Sequence, residues 1–439
     1  MTTTWRRRAG RALGAAAALA AFYLAGTADG RWLARAAWEE GRILARRRPI
    51  AELAAAGSGV DERTRGKLQL VLGAREFAAE SLGLRAGRSF TQYADIGRDT
   101  LLLLLTGARR DTLAPVTWWF PVVGRVPYKG FFDWPAARAA ADGLRRDDRD
   151  AYLRPAGAFS TLGWFDDPLL NTTLAQDSVD LANTVVHEIT HSEFYAPGQA
   201  AFNESFASFV GARGSERFFR QRGDTAAARE AGLRWADEQL LGAFWARLGR
   251  TVDSAYAAHP GGGDAARGAR RAARDAVTAR ARALLADSVA PRLSAARGRG
   301  ADRARLRAWA DRVPLDNAAL LARRTYAREL PLFDAVLGRE GGDLRRAVRR
   351  IVGLARASNE PYAAVRAWVG GGAEARVWTP PRSVEGVRGA PVGPTGAASD
   401  VAAGRTKRRD GAGAGVRPGG TASRSPRGDQ RPDSLRLRG

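Results

Sequence analysis

The sequence predicts an α+β fold dominated by helices, and three observations carry that expectation. Apolar residues recur at helical spacing from Ser178 to about Val369. Between Thr100 and Phe165 the pattern changes to aromatic and β-branched runs punctuated by Gly and Pro, the signature of short strands. At the start of the long helical part, the apolar run Leu181 to Val186 leads into His187-Glu188-Ile189-Thr190-His191. The expected core is a small β-sheet beside the helix that carries this run, with long helical segments around it.

Taken in order, the chain opens on Arg6, Arg7, Arg8 and Arg11, followed by the uncharged, Ala- and Leu-rich stretch Ala12 to Ala28. Such a stretch suits an export signal and lies at the lower limit for crossing a bilayer. Residues 1–28 therefore read as a signal peptide or an N-terminal membrane anchor, and the remainder is expected in the cell envelope, periplasmic or membrane-anchored and facing outward. Helices are expected over Trp32 to Ile50 and Asp61 to Ala79. Strands are expected over Thr100 to Leu105, Val116 to Val123 and Gly157 to Phe165. The Ala-, Arg- and Leu-rich stretch Ala226 to Val313 reads as two or three long helices forming a solvated arm, interrupted at His259-Pro260-Gly261-Gly262-Gly263. Residues 29–375 thus read as one domain with a central helical region at about 222–313. Residues 376–439, rich in Arg, Gly and Pro and poor in large apolar side chains, read as a disordered tail.

Composition narrows the chemistry. There are no cysteines, which excludes disulfides, thiolate metal sites and a cysteine nucleophile. Any metal must be held by nitrogen and oxygen, and the only histidines are His187, His191 and His259. The formal charge of +24 raises nucleic-acid binding as a question. Its source is Arg scattered through an Ala- and Gly-loaded chain rather than a local stripe, with about +7 of it beyond Pro380. Nucleic acid is therefore not the expected partner, while weak attraction to anionic membrane surfaces fits the same charge. Oligomeric state is not encoded in any pattern along the chain.

The run His187 to His191 is an H-E-x-x-H sequence at the end of an apolar helical segment. On a helix, positions four apart share one face, so two imidazoles there can converge on one Zn²⁺, and Glu188 projects beside them as a general base toward water. In a chain with three histidines, an accidental match has an expectation on the order of 10⁻³. A catalytic zinc needs a third protein ligand and an open position. Glu193 points about 200° away around the helix. Glu204 is the better candidate, because Ala196-Pro197-Gly198 ends the first helix and a second begins near Phe202. The competing role for Glu204 is an acidic residue favoured by a helix N-terminus. His259 before Pro-Gly-Gly-Gly reads as a solvated loop residue.

These residues resemble a family: Val186 to His191, followed by Ala201-Phe202-Asn203-Glu204-Ser205-Phe206-Ala207, is similar to bacterial envelope-associated zinc aminopeptidases. The blocks Phe120 to Gly130, Ser160 to Pro168, and Asp316 to Leu320 with Tyr326 match as well, so the likeness spans roughly Trp32 to Ala357. The resemblance implies a zincin-like catalytic core of gluzincin type, with His187, His191 and Glu204 as zinc ligands and a peptide as substrate. Tyr326, in a family-like block on a helix, is the candidate donor to the charged intermediate, with packing as its alternative. An aminopeptidase must also bind a free ammonium group. Asp166, Asp167 or Glu193 could serve, although Asp166 is equally a turn residue; Tyr128 and Lys129, in a tight Pro/Gly segment, could border the cleft or simply form the turn. The exopeptidase label comes from the resemblance alone. Endopeptidase action on exported proteins, or a non-catalytic zinc-stabilised envelope binding protein, are the alternatives. The chain lacks the lipid-anchoring cysteine common in that family, and its tail lies outside the family pattern.

Overall fold

The computed structural model describes residues 21–120, 124–156, 168–297, 302–324 and 328–371, together with Gly14 and Ala18. The expected tail, most of the apolar leader, and the expected strand Gly157 to Phe165 lie outside the described residues. Among the described residues, no helix is long and apolar enough to cross a membrane.

The first helix, α1 (Ala28–Ala45), is capped by the Thr27 hydroxyl, which accepts from the Gly30 amide. Asp61 caps α2 (Glu62–Glu80) in the same way. Three small sheets replace the single sheet expected from the sequence. One is ordered β1-β2-β8, from Arg48–Pro49, Gln92–Ala94 and Leu169–Leu170. The second is ordered β6-β3-β7, from Lys129–Phe131, Leu102–Arg109 and Arg149–Ala156, and is antiparallel throughout. The third is the hairpin of β4 (Trp118–Phe120) and β5 (Gly124–Val126).

Helix α3 (Trp134–Arg146) covers one face of the second sheet, where Leu105, Ala141 and Ala151 pack. Successive strand residues face opposite sides. The register Leu102↔Ala156 and Leu104↔Arg154 therefore turns Tyr152, Arg154 and Ala156 to the face away from α3. There Leu102, Leu104 and Ala156 pack with Ile43 and Leu170, and Tyr152 packs with Ala318 and Ala319. Strand β7 and helix α3 had no clear signature in the sequence. Asp150, Arg154 and Pro155 interrupt the alternation of β7, which Pro can do because β7 is a sheet edge.

The helical half begins with α4 (Ser178–Glu193), α5 (Ala200–Gln221) and α6 (Thr225–Ala257). Short turns join them, so they run up, down and up. Phe209 meets Trp235 at 6.2 Å between ring centroids, as the antiparallel pairing of α5 and α6 requires. Then come α7 (Asp264–Leu284), α8 (Arg303–Arg312), α9 (Asn317–Arg324), α10 (Leu330–Arg339), α11 (Leu344–Arg356) and α12 (Pro361–Val369).

The main core gathers α2, α4, α5, the start of α6, and α10 to α12 around Phe202, Phe206, Phe209, Trp235 and Phe333. The rest of α6 forms a second core with Leu285, Ala290, Leu293, Leu306 and Trp309. The central region is consequently no solvated arm. Helix α7 buries only Ala281, but the turns after it close a dry cluster against α6.

Buried polar groups dock this second core on the sheet. The Asn317 amide Nδ2 donates to the Arg109 carbonyl at 2.7 Å, and the Tyr256 hydroxyl donates to Asn317 Oδ1 at 3.1 Å. The Asn317 backbone N–H donates to Asp150 Oδ2 at 3.1 Å, and Arg274 Nη1 reaches the same oxygen at 2.8 Å. Asn317 is 1% exposed, so each lost partner leaves a group without water. Asn317→Ala should therefore cost about 2–4 kcal/mol of stability in urea unfolding. A loss below about 0.5 kcal/mol would contradict this docking role.

Candidate metal centre

Helix α4 starts where Asp177 accepts hydrogen bonds from the Val179 and Asp180 amides, and Asp180 adds a favourable negative charge in the first turn. Val179, Leu181, Ala182, Val185, Val186 and Ile189 are buried in the main core. That leaves the opposite side of the helix for Asn183, His187, Glu188 and His191. The chain then turns through Gly198, whose φ of +75° is the left-handed region that glycine tolerates. Asn203 pins this turn, its Oδ1 accepting from the Ala196 amide and its Nδ2 donating to the Ala196 carbonyl, both at 2.9 Å.

Helix α5 approaches α4 unusually closely. A Cβ on Gly211 would fall 2.2 Å from Asn183 Oδ1 and 3.0 Å from the Asn183 carbonyl, and one on Gly214 would fall 2.8 Å from Val186 Cγ1. These glycines let the two backbones cross where larger residues would hold them apart. Two turns before Gly211, Glu204 is carried onto the imidazoles of α4. Its Oε2 lies 3.7 Å from His187 Nε2 and its Oε1 lies 3.8 Å from His191 Nε2, while the two Nε2 atoms are 3.2 Å apart. The expected ligand triad is thus brought together, and its ligand atoms all lie within 4.8 Å of one another.

The electrostatics of the cluster suit a cation. Glu204 and His187 are each 1% exposed. Burial pushes both imidazoles down to about 4; for His191, Glu204 acts against that shift and His187 with it. Burial raises the Glu204 carboxyl, opposed by His191 and by the positive charge of Arg154. Among the described residues, buried Glu204 Oε2 has no hydrogen-bond partner. It is a buried acceptor close to two imidazole nitrogens, an arrangement that a shared cation would satisfy. Donors about 2.0–2.1 Å from a tetrahedral zinc lie roughly 3.3 Å apart, close to the spacing found here. The residues fit the ion.

Glu188 follows His187 on α4 and is partly exposed, as a group meeting water must be. Tyr128 packs against the sheet-side cluster of Ile43, Ala94 and Leu101. Glu193 is engaged by Arg85 at 3.2 Å and Arg356 at 3.8 Å, so it serves the surface rather than the cluster. Asp166, Asp167 and Tyr326 lie outside the described residues. Close to Tyr326 in sequence, the Arg328 amide donates to Ser205 Oγ at 3.1 Å, next to Glu204 in the chain.

Sequence reasoning missed Asn203, Gly211 and Arg154. The first two sit in runs that read only as helix, and Arg154 sits in a stretch whose strand has no clear signature in the sequence.

The family model described as "Putative aminopeptidase" matches residues 31–365. Neither a curated protein nor a solved structure gives a significant match to the chain.

Two outcomes follow. Gly211→Val should force α5 away from α4 and weaken zinc binding at least about tenfold by competition with a chelating dye; unchanged affinity would contradict the role of the crossing. The histidines also make a pH signature. In the unfolded chain they titrate near 6.5, so between pH 6.5 and about 4 unfolding takes up protons that the folded state refuses. Metal-free protein should lose stability through that window, a trend that Glu204, with its raised pKa, partly offsets. The fall should shrink in His187→Asn when the two urea midpoints are compared from pH 7 to 4.5; equal falls would contradict the burial of a neutral imidazole.

Proposed function

The chain belongs to the family whose model it matches over residues 31–365, and from that premise we propose that it is a zinc-dependent aminopeptidase. The observation that carries the reading is the buried Glu204 carboxylate, with one oxygen lacking a hydrogen-bond partner among the described residues, close to two neutral imidazole nitrogens. Two imidazoles and one carboxylate, without sulfur, form a donor set that suits zinc and leaves room for a fourth ligand. In this reading α4 and α5, flanked by the sheets, form a zincin-like core of gluzincin type.

His187, His191 and Glu204 hold the metal. A bound zinc supplies Lewis acidity to the scissile carbonyl and to the attacking water. Glu188 takes the proton of that water and returns it to the leaving amine. The depressed pKa of both histidines supports this division of labour, because neutral imidazoles donate electron pairs at pH 7 without first releasing protons. Tyr326 donates a hydrogen bond to the oxygen that gains charge during attack. The anchoring of Arg328 at Ser205 supports a place for its segment beside Glu204. Asp166 is the proposed partner of the substrate ammonium, and Tyr128 a residue of the cleft border. The substrate is a peptide, and the site of action is the cell envelope, reached through the N-terminal apolar segment.

With one zinc bound per chain, Glu188→Gln should keep the metal and lose about 10²–10⁴ in kcat on an aminoacyl amide. His187→Ala should lose metal and turnover together. Unchanged turnover in Glu188→Gln would end this mechanism. N-acetylation of the substrate should abolish cleavage if the enzyme acts on amino termini.

A further inference from the structure

The apolar leader does not run straight into α1. Thr27 between them is extended, with φ −108° and ψ 153°, and its hydroxyl donates to the Tyr23 carbonyl at 2.9 Å. A Cβ on Gly30 would run into that same carbonyl and fall 2.7 Å from Leu24 Cα. In a straight helix residues seven apart are separated by about 10 Å along the axis, so the helical residues 21–26 and α1 meet at a corner. Gly30 lies on the inside of that corner. Residues on its side of α1 therefore face the direction from which the leader arrives.

At about 100° per residue, that side carries Leu33, Ala34, Ala37, Trp38, Gly41 and Ala45, and none of them is charged. All but Leu33 are exposed, Trp38 to 63%. The opposite side of α1 faces the body of the protein. There Ala36, Glu39 and Ile43 are buried, and Trp32 rests on Phe120 with ring centroids 4.8 Å apart. Arg31, Arg35 and Arg42 line one edge of the open side, and half-buried Glu40 borders the other. Glu39 is shared by Arg35, Arg42 and Arg98 at 2.6, 3.7 and 3.2 Å, so three cations meet one acid and the cluster keeps net positive charge.

An open apolar helix face that holds a tryptophan and is edged by arginine suits the boundary between lipid and water. The leader says which occupant this face meets. As a helix, the uncharged run Ala12 to Ala28 would be about 25 Å long, shorter than the ~30 Å hydrocarbon core. A span that falls short draws the residues after it into the headgroup region. The corner at Thr27 then turns α1 along the surface, with its uncharged side toward the lipid.

We propose that α1 lies on a bilayer bearing anionic headgroups, with Trp38 and the alanines around it in the interface and Arg31, Arg35 and Arg42 among the phosphates. The inference deepens the envelope reading and rests on it for the leader's place in a bilayer. It makes no demand on the metal centre.

The chain has no cysteine, so a single one carries a nitroxide label to a chosen place. The test uses full-length Ala18→Cys, Ala37→Cys and Ala272→Cys, labelled and mixed with vesicles of phosphatidylglycerol and phosphatidylcholine. Vesicles should lower the collision of the Ala37 label with a water-soluble nickel chelate about fivefold or more, with the label at exposed Ala272 of α7 unchanged. A label at Ala37 that stays as open as the one at Ala272 overturns the proposal. The leader label separates the two readings: Ala18 shielded with Ala37 open leaves the leader in the bilayer and removes only the surface helix, whereas both open removes both. Shielding of Ala37 without vesicles would assign the face to a second copy of the chain and overturn the proposal. Vesicles of phosphatidylcholine alone should restore at least about half of the accessibility at Ala37, and unchanged shielding would contradict the anionic partner. Should Ala37→Cys fail to fold, Ala34→Cys reads the same face. Turnover plays no part in the readout, so failure of the peptidase reading would show separately.

Discussion

The structure depends on one costly placement: an acidic side chain, 1% exposed, is held against two imidazoles that burial keeps neutral. Among the described residues, nothing neutralises Glu204 fully. A carboxylate in such a place is stable only as a protonated acid or with a cation beside it. Much of the surrounding architecture serves to enforce the placement. Asn203 locks the turn between the two helices, Gly211 and Gly214 permit their close crossing, and Phe202 and Phe206 drive the same stretch of α5 into the core. The run from Phe202 to Phe206 thus divides between packing by Phe202 and Phe206, pinning by Asn203, and the proposed ligand Glu204, which explains why it reads as a unit.

The second core gives this site its surroundings. Helix α6 belongs to both cores, Trp235 to the first and Leu241 to Tyr256 to the second. A helix shared in this way ties the second core to the helices that carry His187, His191 and Glu204. The second sheet contributes from the other side. Its register turns Arg154 away from α3 and brings a positive charge to bear on Glu204, tempering the penalty of burial without pairing it outright.

What could be read from the sequence followed the strength of the local physics. The H-E-x-x-H helix was legible because histidine is scarce and the preceding apolar residues repeat at helical spacing. The break at Ala196-Pro197-Gly198 made a returning helix and Glu204 legible as well. The helices of the main core and the strands around Leu102 to Leu105 and Trp118 to Phe120 were found in the expected places. Strand β7 was hidden because its polar residues are satisfied by tertiary partners: Asp150 binds Arg274 and the Asn317 amide, which no local pattern encodes. The supposed arm failed for the same reason. Its arginines read as a solvated surface, whereas Arg270 and Arg274 reach the buried Asp111 and Asp150. Gly211 was illegible because a helical glycine shows its purpose only when its neighbour across the interface is known.

The central claim is that three side chains from two neighbouring helices grip a single ion. X-ray absorption at the zinc edge, on protein loaded with one equivalent, addresses it most directly. The account predicts two imidazole nitrogens at about 2.0–2.1 Å with oxygen completing a four- or five-coordinate shell, and loss of one oxygen in Glu204→Ala. A shell of six oxygens, or a spectrum that Glu204→Ala leaves unaltered, would contradict it.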